Sequence, residues 1–281
     1  MKILLTNDDG YRAEGLHTLV EMMKSFGEVT VIAPKYHQSS VAIGLTMGFQ
    51  PMAVRELGTE DGVRWIYLDG TPASCVKFAI DEVFTDGKPD FVVSGINHGS
   101  NAATAACYSA TLGAAMEAAI NGIPAIGISL DNMSPAADFS ACAELLPGLI
   151  AKVMALPFER GAFYNVNVPD IPAASIKGIR VGTMGYGHWA KEFVPWTREW
   201  FVEKNIDLSG HKLDPEAVQA EDGETLYRMA GYFVDDDDRA LADHHLISEG
   251  YITLTKHIFD NTDRQSIQSL QSSFDEDFKT K

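Results

Sequence analysis

Lys2-Ile3-Leu4-Leu5-Thr6-Asn7-Asp8-Asp9-Gly10 decides how this chain is read. The apolar run has the length of a buried strand, and it empties at once into an amide, two carboxylates and a glycine. Beyond it, Leu16, Leu19, Val20 and Met23 recur at helical spacing within residues 15–26. Residues 29–33 are then a β-branched run stopped by Pro34. Strand, helix, strand is the opening of a parallel α/β sheet.

The alternation continues. The pattern predicts strands over 65–68, 91–94, 125–129, 164–168 and 179–183. It predicts helices over 72–83, with Pro72 in the first turn, over 111–121, ended by Gly122, and over 139–156. After Met184 the texture changes. Residues 184–233 are rich in Trp, Tyr, Gly and charge, and read as a hairpin-bearing appendage. Asp235 to Asp238 read as a solvated acidic turn, residues 250–255 as a returning strand and 264–274 as a last helix. The expected organisation is a core over 1–183, with 184–281 completing the same single domain.

Composition limits the function. Of 281 residues 46% are hydrophobic, enough for a large core. With 22 Lys plus Arg against 39 Asp plus Glu the net charge is −17, which repels polyanions and argues against long DNA or RNA as partners. A small phosphate stays possible, because a bound cation reverses the local field. Cys75, Cys107 and Cys142 give no disulfide framework and no zinc spacing; they read as buried reduced thiols of a cytoplasmic protein. The first apolar run is too short for a signal peptide, and no segment reaches membrane-spanning length, so no membrane partner is expected.

Four loops carry the chemistry, and all follow strands at the edge where open α/β sheets bind ligands. In the first, Asp8 and Asp9 repel one another unless a cation lies between them. Hard oxygen ligands favour Mg2+, Mn2+ or Ca2+ over zinc; a plain Asp-Gly turn is the alternative. The second, residues 33–40, carries the hydroxyls of Ser39 and Ser40, which suit a metal or a phosphate. In the third, Ser94-Gly95-Ile96-Asn97-His98-Gly99-Ser100-Asn101, Asn97 offers an oxygen to a metal and an NH2 to a phosphate. The fourth, Tyr108-Ser109-Ala110-Thr111, opens a helix whose free N–H groups make an anion site, although Ser109 also suits a plain N-cap. Neither a phosphate-binding P-loop nor a dinucleotide G-x-G-x-x-G nor a G-x-S-x-G elbow is present.

In this order, with Asp69-Gly70-Thr71-Pro72-Ala73, Asn165-Val166-Asn167-Val168-Pro169 and Glu249-Gly250-Tyr251, the motifs resemble the SurE family of survival-protein phosphatases, metal-dependent 5'- and 3'-nucleotidases. The resemblance spans nearly the whole chain. It implies that Asp8, Asp9, Ser39 and Asn97 ligate one divalent metal per subunit, Mg2+ or Mn2+, with Ca2+ able to occupy the site. It implies that Asn97, Gly99, Asn101, Ser109 and Thr111 bind phosphate. The implied fold is a Rossmann-like three-layer core on a mostly parallel sheet, with a C-terminal β-hairpin and tail exchanged between subunits of a homodimer or homotetramer. The implied substrates are nucleoside monophosphates or other small phosphate esters, and short polyphosphate. Two departures touch the site. The 40–45 segment is more apolar than the family's, and Ala110 stands where the family has glycine.

The expected chemistry is phosphoryl transfer to water, with Asp8 or Asp9 as base and His37 or His98 able to protonate the leaving oxygen. Surface loop histidines are the plainer reading of the last two. Receiver domains also gather carboxylates after their first strand, but need an Asp and a Lys where this chain has Asn97 and Ser129. A nucleotide-binding sensor without turnover is the remaining alternative.

Overall fold

In the computed structural model, which describes residues 1–49, 51–203, 210–212 and 218–274, the first half of the chain alternates strand and helix. β1 (Lys2–Thr6), α1 (Glu14–Met23), β2 (Glu28–Pro34), β3 (Val54–Glu60), β4 (Val63–Leu68), α2 (Pro72–Phe78), β5 (Phe91–His98), α3 (Ala110–Ile120), β6 (Ala125–Leu130), α4 (Ser140–Met154) and β7 (Ala162–Val168) follow one another. The second half adds β8 (Ile179–Val181), β9 (Gly187–Ala190), β10 (Phe193–Pro195), α5 (Arg198–Glu203), β11 (Tyr227–Met229), β12 (Tyr232–Asp235), α6 (Asp243–Ser248), β13 (Ile252–Ile258) and α7 (Ile267–Phe274).

The period-2 geometry of β1 explains the three layers. Ile3 and Leu5 face one apolar cluster with Leu16 and Leu19 of α1 and Leu146 of α4. Leu4 faces the opposite one, with Cys75 of α2 and Leu112 of α3. A strand buried on both faces must be covered by helices on both faces. Each fully buried leucine of this kind contributes about 2 kcal/mol.

The main sheet has nine strands in the order β3-β4-β2-β1-β5-β6-β7-β13-β8. The six from β4 to β7 are mutually parallel. Numbered along the chain, those six lie in the order 3-2-1-4-5-6, the doubly wound Rossmann-like arrangement. Winding reverses between β1 and β5, so the turns after them flank the crevice where such sheets hold ligands.

The differences from expectation are local. β3, antiparallel to β4, was not anticipated: every one of its residues is exposed, so no hydrophobic alternation marks it. The helix expected over 72–83 is α2 continued by a wider π turn over Ala79–Val83. The strand over 91–94 runs on to His98. Among its described residues the appendage holds two nested antiparallel pairs, β9 with β12 and β10 with β11. β13 enters the main sheet antiparallel to β7, and β8 pairs with its far side. Residues 275–281 of the expected tail lie outside the described residues. Among the described residues, no helix is long and apolar enough to cross a membrane.

Candidate active site

The turn after β1 is built by its own side chains. Asn7 Nδ2 donates to Gly10 O at 3.0 Å, and Tyr11 N donates to Pro34 O at 2.9 Å. The second loop is tied to it, since Gln38 N donates to Asp8 O at 2.7 Å, and the exposed Ser39 follows directly. Ala42 N donates to Tyr108 O at 3.0 Å, joining the second loop to the fourth. A β-carbon on Gly113 of α3 would come within 2.2 Å of Ala42 O, so that close approach needs glycine. The third loop reaches the first through His98 N, 3.2 Å from Asp9 Oδ2. All four predicted loops therefore meet around the two aspartates.

The carboxylates sit in different surroundings. Asp8 is buried, and its Oδ1 accepts a hydrogen bond from Thr111 Oγ1 at 2.5 Å. Burial and then the neighbouring Asp9 charge push the Asp8 carboxyl up to about 7, with the Thr111 bond acting against them. Asp9 is gripped by two imidazoles: His37 Nδ1 is 3.3 Å from Oδ1, and His98 Nδ1 is 3.1 Å from Oδ2. Burial pushes Asp9 up too, but the bonds from His37 and His98 outweigh it and hold the carboxyl down at about 2. For His37, burial works downward, and the Asp9 bond and charge outweigh it, so its pKa is raised. Both histidines belong to the Asp9 cluster, which corrects the reading of them as plain surface residues.

The third loop is braced from beneath. Asn97 Nδ2 donates to Gly99 O at 2.7 Å, while Asn97 Oδ1 is buried without a partner. Asn101 N donates to Asn167 Oδ1 at 2.7 Å, and Asn101 Nδ2 donates to Ser129 Oγ at 2.7 Å. Asn165 Nδ2 donates to Asn101 O at 2.9 Å, and Asn167 Nδ2 to Asn165 Oδ1 at 3.1 Å. Ser109 Oγ caps α3 by accepting from Leu112 N at 3.1 Å. Asn101 is thus turned into an internal network, and Ser109 Oγ and Thr111 Oγ1 have protein partners.

The bracing role of Asn165 and Asn167 was not anticipated. Two asparagines alternating within the strand expected over 164–168 were the available signal, because buried amides need partners. Beside the turn lies a cavity of about 300 Å3 lined by Tyr11, Arg12, Lys35, Tyr36, Arg55 and Tyr67.

The donor set suits a hard divalent ion. Asp8, Asp9, Ser39 and Asn97 offer oxygen only, and the orphaned Asn97 Oδ1 is a buried acceptor with nothing to accept. Asp8 and Asp9 would bring two carboxylates to it.

The chain matches the family model described as "Survival protein SurE" over residues 3–191. It is 36% identical over 271 residues to a protein named 5'-nucleotidase SurE from Christiangramia forsetii, covering 96% of this chain and 95% of the relative. A second 5'-nucleotidase SurE, from Actinobacillus succinogenes, is 33% identical, with 97% and 98% covered. The crystal structure of the SurE protein from Aquifex aeolicus superposes with a TM-score of 0.75 at 29% identity, covering 96% of this chain and 98% of that one. Fold, motif order and relatives agree, and the chain belongs to the SurE family.

Proposed function

We propose that this chain is a divalent-metal-dependent phosphatase that hydrolyses nucleoside 5'-monophosphates, with 3'-monophosphates and short polyphosphate as further substrates. One observation carries the reading. An orphaned buried amide oxygen, Asn97 Oδ1, stands in the loop that closes on Asp9, at the point where the sheet reverses. The relatives' names support the nucleotide class.

In this reading Asp8, Asp9, Ser39 and Asn97 hold Mg2+ or Mn2+. When bound, such an ion supplies polarisation of the phosphoryl oxygens and acidifies a water. The remaining tasks fall to the chain. The N-terminus of α3, with Ser109 and Thr111, faces the phosphate with its dipole and free N–H groups, and Asn97, Gly99 and Asn101 shape the opposite wall. Asp8 or Asp9 takes the proton from the attacking water; Asp8 accepts from Thr111, and Asp9 faces His37 and His98. Each of those rings turns Nδ1 to Asp9, which leaves Nε2 to deliver a proton to the leaving ribose oxygen. Tyr11, Tyr36 and Tyr67 line a cavity in which a base can stack, and Arg12, Lys35 and Arg55 add positive charge to it.

The working form in this reading is a homodimer or homotetramer. Ile267, Leu270 and Phe274 are exposed along one stripe of α7, and the cross-strand pair Phe193 and Met229 is exposed as well. A second copy exchanging its hairpin and tail would cover them. We place the chain in the cytoplasm, where three unpaired cysteines stay reduced.

Phosphate release from AMP, 3'-AMP, polyphosphate and p-nitrophenyl phosphate, with each divalent ion and with EDTA, tests the proposal. Hydrolysis of AMP that EDTA abolishes is expected. Binding of AMP without turnover would replace the enzyme with a sensor, and turnover unaffected by EDTA would overturn the metal.

A further inference from the structure

A second group of ligand-type side chains converges far along the chain from the carboxylate turn. Asp235 ends β12, and His244 and His245 lie in the first turn of α6. Asp235 Oδ1 is 2.9 Å from His244 Nε2, and Asp235 Oδ2 is 2.7 Å from His245 Nε2. One ligand atom from each residue lies within 4.8 Å of the other two. Consecutive helical residues diverge by about 100° around the axis, so two adjacent imidazoles turned onto one carboxylate are not what the helix alone produces. Their ring centroids are only 4.2 Å apart.

The far side of His245 says what the near side faces. Its Nδ1 is 3.2 Å from Arg239 O. A carbonyl only accepts, so Nδ1 carries the hydrogen. Nε2 is thereby aimed at Asp235, whose bond raises the His245 pKa, and the place between them suits a positive charge, a proton or a metal ion. A backbone carbonyl behind the distal nitrogen is also the usual support of a metal-bound imidazole.

We propose that Asp235, His244 and His245 form a second metal site, for a borderline-soft divalent ion such as Zn2+. Imidazole and carboxylate ligands stand about 2.0–2.2 Å from such an ion, so ligand atoms already in mutual contact need only open slightly around it. Two imidazoles select Zn2+, Co2+ or Ni2+ over Mg2+ and Ca2+, which separates this site from the all-oxygen set at Asp8 and Asp9. Three protein ligands leave one tetrahedral position for water.

The site is a clasp. It joins the end of the outer hairpin to α6, whose Asp243 is fully buried and accepts at Oδ1 from Ala103 N at 2.9 Å and Gly185 N at 3.0 Å. Thr104 Oγ1 adds a bond to Gly187 O at 2.9 Å. An ion at Asp235 therefore fastens the hairpin to the segment that follows the third loop.

The test uses the full chain carrying Asp8→Asn and Asp9→Asn, stripped with EDTA and titrated with Zn2+ and with Co2+ as a visible probe. One equivalent of Zn2+ is expected to bind and raise the melting temperature. Adding His245→Gln, or separately Asp235→Asn, should weaken that binding by about ten-fold or more and remove the melting shift, with circular dichroism unchanged. Using two shape-preserving changes guards against one that unfolds α6. Folded protein that binds no Zn2+ would show that a proton alone bridges the pair, and undiminished binding in both variants would place the ion elsewhere. Either result overturns the proposal and leaves the phosphatase reading intact.

Discussion

Thr111 Oγ1 donates to Asp8 Oδ1 at 2.5 Å, joining the first turn of α3 to the turn after β1 across 103 residues of sequence. Thr111→Val removes the donor and keeps the shape. It is expected to cost about 1–3 kcal/mol of stability in the metal-free protein, the price of a buried acceptor left unsatisfied. It should also lower kcat/KM on AMP. Thr111→Ser, which keeps the hydroxyl, should restore most of both. Thermal melts and phosphate release check the pair.

Asp8→Asn is expected to retain the fold but to give up one of the two carboxylates proposed to hold the cation. Metal-dependent hydrolysis should fall by at least about a hundred-fold. Added Mn2+ or Mg2+ should no longer raise the melting temperature through this site. Full activity with Mn2+ supplied would sink the proposed mechanism.

Gly113→Ala tests the close approach of α3 to the second loop. The new methyl would fall 2.2 Å from Ala42 O, so residues 40–44 must move. Because Gln38 and Ser39 precede that segment, metal affinity should weaken along with stability. Ala-for-Gly normally favours a helix by about 1 kcal/mol, so a stabilised and fully active variant would contradict the packing described.

His257 of β13 stacks on Phe163 at 5.3 Å, and its buried Nε2 has no partner. Burial lowers its pKa from 6.5. Unfolded chains then take up a proton as pH falls through 6.5 while the folded state does not. The stability this neutral ring allows is present above that pH and is lost on acidification toward the depressed folded value. His257→Leu should make the melting temperature less sensitive to pH between about 7 and about 5.

Cys107 is exposed, which corrects the expectation of three buried thiols. Burial raises the pKa of the Cys75 and Cys142 thiols, the latter to about 12. A thiol reagent should therefore label Cys107 alone in the native protein and all three cysteines after denaturation. Fast labelling of Cys75 in folded protein would contradict the position of α2 against the sheet.

The parallel core was legible because its strands are buried on both faces. Runs such as Ile3-Leu4-Leu5 and Val29 to Ala33 have no other plausible home. The site was legible for a related reason: its residues sit on the turns that end those runs. β3 was hidden because an exposed edge strand carries no apolar pattern. The destination of β13 was hidden because nothing local says which strand a returning strand joins. The acidic turn looked like solvated charge, yet Asp235 meets two histidines, Asp236 meets His188, and Asp237 holds Arg239 and Tyr186 N. Sequence proximity had not suggested those partners, since His188 lies 48 residues upstream of Asp236.

The pairing of β13 with β7 sets a timetable for birth. Asn165 and Asn167, which brace the third loop, lie opposite Thr255 and Thr253. While the chain is being translated, β7 emerges with one edge unpaired, and its partner is still about 90 codons away. At about 5–20 residues per second that wait is on the order of ten seconds. A nascent chain thus carries its carboxylate turn long before the strand that steadies the opposite wall exists. The asparagines that brace the third loop thus gain their neighbouring strand only after residues 252–258 have been made.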